Sequence, residues 1–227
     1  MARMTSLNSI ERAVEVNSAG RRLKGILGMP PGARGVVVFA HGSGSGRHSP
    51  RNQFVARVLQ EGGLATLLLD LLTEDEEQDR NNVFDIGLLA ERLTGAARWF
   101  AGEPGAAVLP LGYFGASTGA AAALVSAARQ PDLVRAVVSR GGRPDLAAAA
   151  LREVAASTLL IVGGADVPVI RLNEGALGQL RCPKEMVIVP GATHLFEEPG
   201  TLEQVAELAR DWFDRYLVPT EAEPDGT

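Results

Sequence analysis

The chain has 227 residues, of which 46% are hydrophobic and 22% charged, a balance that suits one mid-sized globular domain. The net charge of −5 gives no indication of a nucleic acid or an anionic membrane as partner, and the single cysteine, Cys182, excludes a disulfide within the chain. No stretch is apolar over the length of a membrane span, and the N-terminal residues lack the apolar run of a secretory signal. We therefore expect a cytoplasmic protein.

The first predicted elements are two short strands, "AVEV" and "LKGILG", which flank a turn at "NSAGRR" and indicate a hairpin. Apolar runs typical of buried strands then alternate with helical patterns. The predicted strands are "VVVFA", "LATLLLD", "LGYF", "VRAVVS", "TLLIVG" and "KEMVIVP". The predicted helices are "QFVARVLQEGG", "VFDIGLLAERLTGAARWFAG", the Ala-rich run that ends near Arg129, "PDLAAAALREV", "RLNEGALGQL" and "LEQVAELARDWFDRYL".

This alternation predicts an α/β fold with a doubly wound, mostly parallel sheet and an N-terminal hairpin. No linker or repeat interrupts it, so we predict one domain over residues 1–217 and a polar tail over residues 218–227. The acidic segment "LTEDEEQDRNN" is predicted to be a solvated connecting loop.

The stretch "GASTG", residues 115–119, lies between a predicted strand and a predicted helix. A Gly-x-Ser-x-Gly pattern at such a turn is typical of a nucleophilic serine, here Ser117. Gly115 and Gly119 would remove side chains that clash in a tight turn. The backbone N–H of Thr118 would lie at the helix N-terminus, where it can stabilise an oxyanion.

A nucleophilic serine needs a base and an acid, which this motif predicts in the order Ser, Asp or Glu, His. Of the three histidines only His194 follows Ser117, in the loop after "KEMVIVP", and Asp166 follows "TLLIVG". Both loops leave the carboxyl ends of strands, where sites form in parallel sheets. The order predicts the triad Ser117–Asp166–His194. The alternative is a turn serine, a helix-capping aspartate and a surface histidine that coincide by chance.

A second glycine-rich loop, "HGSGSG", also follows a buried strand and raises the alternative of nucleotide binding, with Asp70 as the ribose carboxylate. The dinucleotide fingerprint would need its third glycine at position 47 or 49, which are Arg47 and Ser49. No P-loop pattern is present either. The spacing of histidines, cysteine and carboxylates indicates no metal site, and we expect no cofactor.

The segments "FAHGSGSG", "GYFGASTG", "LLIVGGAD" and "VPGATHLF" together resemble the α/β-hydrolase superfamily, and within it the small dienelactone hydrolase-like esterases. This resemblance spans nearly the whole chain. It implies that the backbone N–H of Ser43, after His41-Gly42, is the second oxyanion donor, and that His41 shapes its loop. Dienelactone hydrolases proper use a cysteine where this chain has Ser117, which favours ordinary esters as substrates. Similar sequences also occur fused to a phosphoribosyltransferase domain.

The expected protein is a serine hydrolase of small carboxylic esters, with an α/β-hydrolase fold, no cap domain, and a monomeric or homodimeric state. A thioesterase or amidase could use the same residues, and a non-catalytic binding protein on this scaffold is a further alternative. Arg140, just past the strand "VRAVVS", could hold an anionic substrate group. The alternative is a structural ion pair, either with Asp145 or with the acidic loop that contains Glu74, Asp75, Glu76 and Glu77. Arg143 is a weaker candidate, and His48 could contact substrate from its loop.

Overall fold

The computed structural model describes residues 10–103, 106 and 108–218. Its sheet has eight strands in the described part of the chain, in the order β1-β2-β4-β3-β5-β6-β7-β8. The strands are β1 (Ile10–Ser18), β2 (Arg21–Met29), β3 (Val36–Ala40), β4 (Ala65–Leu69), β5 (Leu111–Ala116), β6 (Val134–Arg140), β7 (Ser157–Gly163) and β8 (Lys184–Val189). Strand β2 is antiparallel to both of its neighbours, β1 and β4, and the six strands from β4 to β8 in sheet order are parallel. The predicted fold class is confirmed.

Two layers of helices cover this sheet. They are α1 (Pro50–Glu61), α2 (Glu74–Glu77), α3 (Arg80–Phe84), α4 (Ile86–Ala101), α5 (Thr118–Ala128), α6 (Val167–Gln179) and α7 (Thr201–Leu217). Helices α1 and α7 pack on one face of the sheet and α4, α5 and α6 on the other, so the core consists of two apolar clusters separated by the sheet. None of the helices described is both long and apolar enough to cross a membrane.

The central strands are buried on both faces because their sequences are apolar throughout. Every residue of β3, "VVVFA", and of β4, "ATLLL", is buried. Parallel strands covered by helices on both sides require such continuous apolar runs rather than alternation. Their carboxyl ends therefore emerge from a rigid core at a common edge, which is where the candidate site lies.

The acidic segment is more ordered than its composition suggests. Residues predicted to form a solvated loop fold into α2 and α3, so the prediction of a loop was wrong, whereas neither helix contains a buried residue and the segment is solvated as predicted. Thr73 Oγ1 accepts a hydrogen bond from the Glu76 N–H, and the Glu76 carboxylate accepts one from the Thr73 N–H. This reciprocal capping box satisfies free donors of a helix start locally. At the start of α3 the Asp79 carboxylate accepts the Asn81 N–H at 2.9 Å.

The connection between β6 and β7 is short. The helix predicted there is a 3₁₀ segment, Pro144–Glu153, broken at Ala148, whose φ is 47°. No cap domain interrupts the chain at this point, as predicted. Of the predicted polar tail, residues 219–227 lie outside the described part of the chain.

Candidate active site

Ser117 lies at the sharp turn between β5 and α5. Its φ of 50° and ψ of −121° place a non-glycine residue in a strained backbone conformation. Neighbouring backbone holds it there, since the Ser117 N–H donates to the Arg140 carbonyl at 3.3 Å and its own carbonyl accepts from the Arg143 N–H at 3.1 Å. The strand end and the next loop thus fix the hydroxyl-bearing residue from both sides.

The glycines of "GASTG" are required by close packing. A Cβ added at Gly119 would lie 2.6 Å from the carbonyl carbon of Ala40 and closer still to the carbonyl oxygens of Ala40 and His41. A Cβ at Gly115 would lie 2.5 Å from Ala120 Cα. Backbone atoms cannot move aside as a flexible side chain can, so a larger residue at either position would displace the turn or the helix.

His194 and Asp166 are joined by a short hydrogen bond. His194 Nδ1 lies 2.7 Å from Asp166 Oδ2, and the Asp166 side chain is only 13% exposed. A carboxylate on Nδ1 fixes the tautomer in which Nε2 is free to accept a proton. The end of β6 lies against the same loop, because a Cβ at Gly141 would be 3.6 Å from His194 Nδ1.

The structure thus brings Asp166 and His194 together, and places Ser117 beside the strand end that contacts the histidine loop. No hydrogen bond joins the Ser117 hydroxyl to His194 within the described residues. In hydrolases this contact often tightens only when substrate is bound.

The two expected oxyanion donors are adjacent. The Ser43 N–H donates to Thr118 Oγ1 at 3.2 Å, and Thr118 is the first residue of α5, where a helix leaves its N–H groups without intrahelical acceptors. A Cβ at Gly42 would lie 3.0 Å from Ser117 Cβ, so the glycine loop contacts the turn directly. A substrate oxyanion would compete with the Thr118 hydroxyl for the Ser43 N–H.

Comparison with known proteins gives the family. No family model matches the chain. A crystal structure of dienelactone hydrolase from Anabaena variabilis shares 60% sequence identity and a TM-score of 0.90, with 92% of this chain and 99% of that chain covered. The chain belongs to the dienelactone hydrolase family.

Other proteins similar to this chain are either longer or share only its fold. Proteins from two strains of Mycobacterium tuberculosis, named "Putative phosphoribosyl transferase", are 58% identical over 207 residues. The match covers 91% of this chain and 47% of theirs, so the chain spans about half the length of the curated relatives it matches. Est1E from Butyrivibrio proteoclasticus shares the fold at 17% identity, with a TM-score of 0.76 over 89% of this chain and 98% of its own.

In this family member His41 is buried and holds two loops together. Its Nε2 accepts the Leu71 N–H at 3.0 Å, so the proton is assigned to Nδ1, which lies 2.9 Å from the Gly42 carbonyl. Asp70 orders the rest of the loop by accepting from the Arg47 backbone N–H at 2.7 Å and from its guanidinium. Because this carboxylate is engaged by the loop itself, it offers no ribose site.

A cavity of about 980 Å³ opens beside the oxyanion donors. The glycine loop forms one wall, and His48 lies there in the exposed position that a substrate contact would need. Charged side chains from several elements line the cavity. They are Arg22, Lys24, Arg47, Arg51, Asp70, Glu74, Asp75 and Glu77. Among the described residues, no group of three or more His, Cys, Asp or Glu side chains could hold a metal ion.

The two arginines after "VRAVVS" have different environments. Arg143 forms a bidentate pair with Asp145, with both N–O distances at 2.8 Å, and this bond raises the pKa of Arg143. Arg140 is only 7% exposed, and no acceptor binds its Nε or Nη1 among the described residues. Burial, and then the charge of Arg51, lower the pKa of Arg140 to about 10.

Sequence reasoning missed Arg51 and Glu197. Arg51, in the first turn of α1, donates from Nη1 to Glu197 Oε1 at 2.9 Å, and Glu197 follows His194 by three residues. Its place directly after the glycine loop, in "SPRN", was the available signal, because the first turn of such a helix faces the strand ends where ligands bind.

Proposed function

We propose that this protein hydrolyses small carboxylic esters through a serine acyl-enzyme. The observation that carries the proposal is the strained Ser117 turn at the same sheet edge as the His194–Asp166 pair, whose Nδ1–Oδ2 distance is 2.7 Å. A hydrolase assignment is supported by the relative from Anabaena variabilis, a dienelactone hydrolase of matching length.

The reaction follows from these positions. Ser117 Oγ attacks the ester carbonyl carbon while His194 Nε2 takes the hydroxyl proton, and Asp166 stabilises the resulting imidazolium. The negative charge on the carbonyl oxygen is bound by the backbone N–H groups of Ser43 and Thr118. The intermediate then collapses, His194 protonates the departing alcohol, and water releases the acid by the same steps in reverse.

Phosphoribosyl transfer is not proposed for this chain. The relatives that carry that name extend over more than twice the matched region, because only 47% of each is covered. The only ribose carboxylate that the sequence offered, Asp70, is bonded to Arg47. The proposed partner is therefore a small-molecule ester rather than a phosphoribosyl donor.

The test is a panel of 4-nitrophenyl esters, matched thioesters and anilides, assayed with wild type and Ser117→Ala. We expect ester hydrolysis that falls at least about 10⁴-fold in the variant. Preferred turnover of thioesters or anilides would replace the ester assignment. A protein that cleaves nothing and fails to react at Ser117 with a fluorophosphonate would be a binding protein on a hydrolase scaffold.

A further inference from the structure

The side chain of Thr118 lies between the two backbone groups expected to bind the oxyanion. Its Oγ1 accepts the Ser43 N–H at 3.2 Å, and covalent geometry keeps the same oxygen close to the Thr118 nitrogen. Thr118 is the buried first residue of α5, and it lines the cavity together with Ser43. The hydroxyl therefore borders the position that an oxyanion between the two N–H groups would take.

The hydrogen of this hydroxyl is free to donate. The bond from Ser43 uses only the oxygen of Thr118, and no described residue accepts from its O–H. A threonine hydroxyl accepts and donates at the same time, and a hydroxyl that already accepts a hydrogen bond becomes a stronger donor. The side chain can thus keep its contact with Ser43 while it donates to a substrate oxygen.

The loop that carries Ser43 has a hydrogen bond of its own. The Ser45 N–H donates to the Gly42 carbonyl at 3.3 Å. Gly44, inside this turn, has a φ of 69°, a conformation that glycine adopts without strain. The turn holds Ser43 in place from both sides, so the loop does not need the Thr118 hydroxyl to keep its shape.

We propose that the Thr118 hydroxyl is a catalytic group of the oxyanion site, a third donor beside the two backbone N–H groups. As Ser117 attacks, the O–H of Thr118 turns toward the carbonyl oxygen and donates to it while negative charge develops. The Ser43 N–H is then shared between that oxygen and Oγ1 in a three-centre hydrogen bond. The hydroxyl keeps its proton throughout. This inference rests on the proposed esterase function, because it names a further catalytic group of that reaction.

The first experiment removes the hydroxyl and keeps the shape of the side chain. Thr118→Val should lower kcat and kcat/KM for 4-nitrophenyl acetate equally, by about 10²- to 10³-fold, as expected when a donor that acts only in the transition state is lost. Thr118→Ser keeps the hydroxyl and should restore most of this loss. A kcat that is unchanged or higher in Thr118→Val overturns the proposal, since the hydroxyl would then only occupy the Ser43 N–H.

The matched control is Thr158→Val, which removes another buried threonine hydroxyl near the start of β7, at the opposite edge of the sheet. Thr158 Oγ1 donates to the Ala156 carbonyl at 2.9 Å, so this variant should have a lower Tm and the wild-type kcat. An equal loss of kcat in the control would assign the effect to stability and overturn the proposal. Thr118→Ala places no methyl group against the Ser43 N–H, and it tests the same loss of kcat if Thr118→Val does not fold.

The second experiment separates donation by the hydroxyl from positioning of Ser43. A trifluoromethyl ketone adds to Ser117 and leaves an oxyanion in the site, and the Ser43 amide is followed by ¹H–¹⁵N NMR. We expect its downfield shift on adduct formation to persist in Thr118→Val, while affinity for the ketone falls about 10²- to 10³-fold. A shift that disappears with the hydroxyl would make Thr118 a support for Ser43 and would overturn the proposal.

Failure of this inference is distinct from failure of the esterase proposal. If wild type cleaves the ester and Thr118→Val cleaves it equally well, the inference alone is wrong. If wild type neither cleaves the ester nor binds the ketone, the esterase proposal fails, and the role of Thr118 fails with it.

Discussion

Replacing Gly119 by alanine would place a methyl group between the start of α5 and the end of β3. The new Cβ would lie 2.6 Å from the Ala40 carbonyl carbon, where an ordinary contact is about 3.4 Å. The carbonyl oxygens of Ala40 and His41 lie closer still, so the first turn of α5 must move by more than about 0.8 Å, the difference between these distances. The obstacle is backbone inside a buried parallel strand, so the helix rather than the strand has to shift.

Two effects of this shift can be estimated. Overpacking costs about 1–3 kcal/mol where side chains can adjust, and a backbone obstacle puts Gly119→Ala near 3 kcal/mol. For a domain of this size that lowers Tm by roughly 6–12 °C. The same movement displaces the Thr118 N–H, and a misplacement of about 1 Å costs about 10²-fold in rate.

The measurement combines thermal unfolding with kcat/KM on a short 4-nitrophenyl ester. Gly175→Ala is the matched control, since Gly175 lies exposed in α6 and nothing lies within 4 Å of an added Cβ. That substitution should stabilise the protein by about 0.5–1 kcal/mol, as expected for a glycine within a helix, without altering kcat/KM. If Gly119→Ala keeps both the wild-type Tm and the wild-type rate, the steric account of the turn is wrong.

Three further expectations concern the proposed base, its partner and the loop beneath them. Asp166→Asn should reduce kcat by about 10³- to 10⁴-fold through the wrong histidine tautomer, and near-normal turnover would move the acid elsewhere. Because only a neutral imidazole accepts the serine proton, kcat/KM should be lost in acid and recovered as the pH is raised; a flat profile would contradict a rate-limiting step that uses a histidine base. His41→Leu leaves the Leu71 N–H without its acceptor, a loss of about 1–3 kcal/mol, and an unchanged Tm would show that the bond is dispensable.

The parts of the site that sequence could predict are those fixed by chain order. Strand, turn and helix around Ser117 follow from local patterns, and a parallel sheet brings the loops after β7 and β8 to the same edge. The sequence therefore predicted the loops of Asp166 and His194, and the structure adds the hydrogen bond between their side chains. The capping box at Thr73 and Glu76 was also present in the sequence, but the acidic composition concealed it.

The face of the sheet on which a strand side chain lies depends on the register of that strand. For Arg140 in β6, regular alternation predicts the wrong face. Val134 packs in the cluster covered by α4, α5 and α6. Regular alternation from Val134 would place residue 140 in that same layer, near Asp145, the structural partner considered from sequence. However, Leu111 pairs with Val134 and Gly112 with Ala136, so β6 contains one extra residue at Arg135.

That irregularity reverses the alternation, because a single inserted residue sends every following side chain to the opposite face. Ala136 and Val138 accordingly pack under α1 and α7, and Arg140 follows them toward Arg51 instead of Asp145. Without the extra residue, Arg140 would lie in the layer of Asp145, whose carboxylate already binds Arg143. The place of Arg140 on the face covered by α1 and α7 is thus a consequence of one irregular strand pairing.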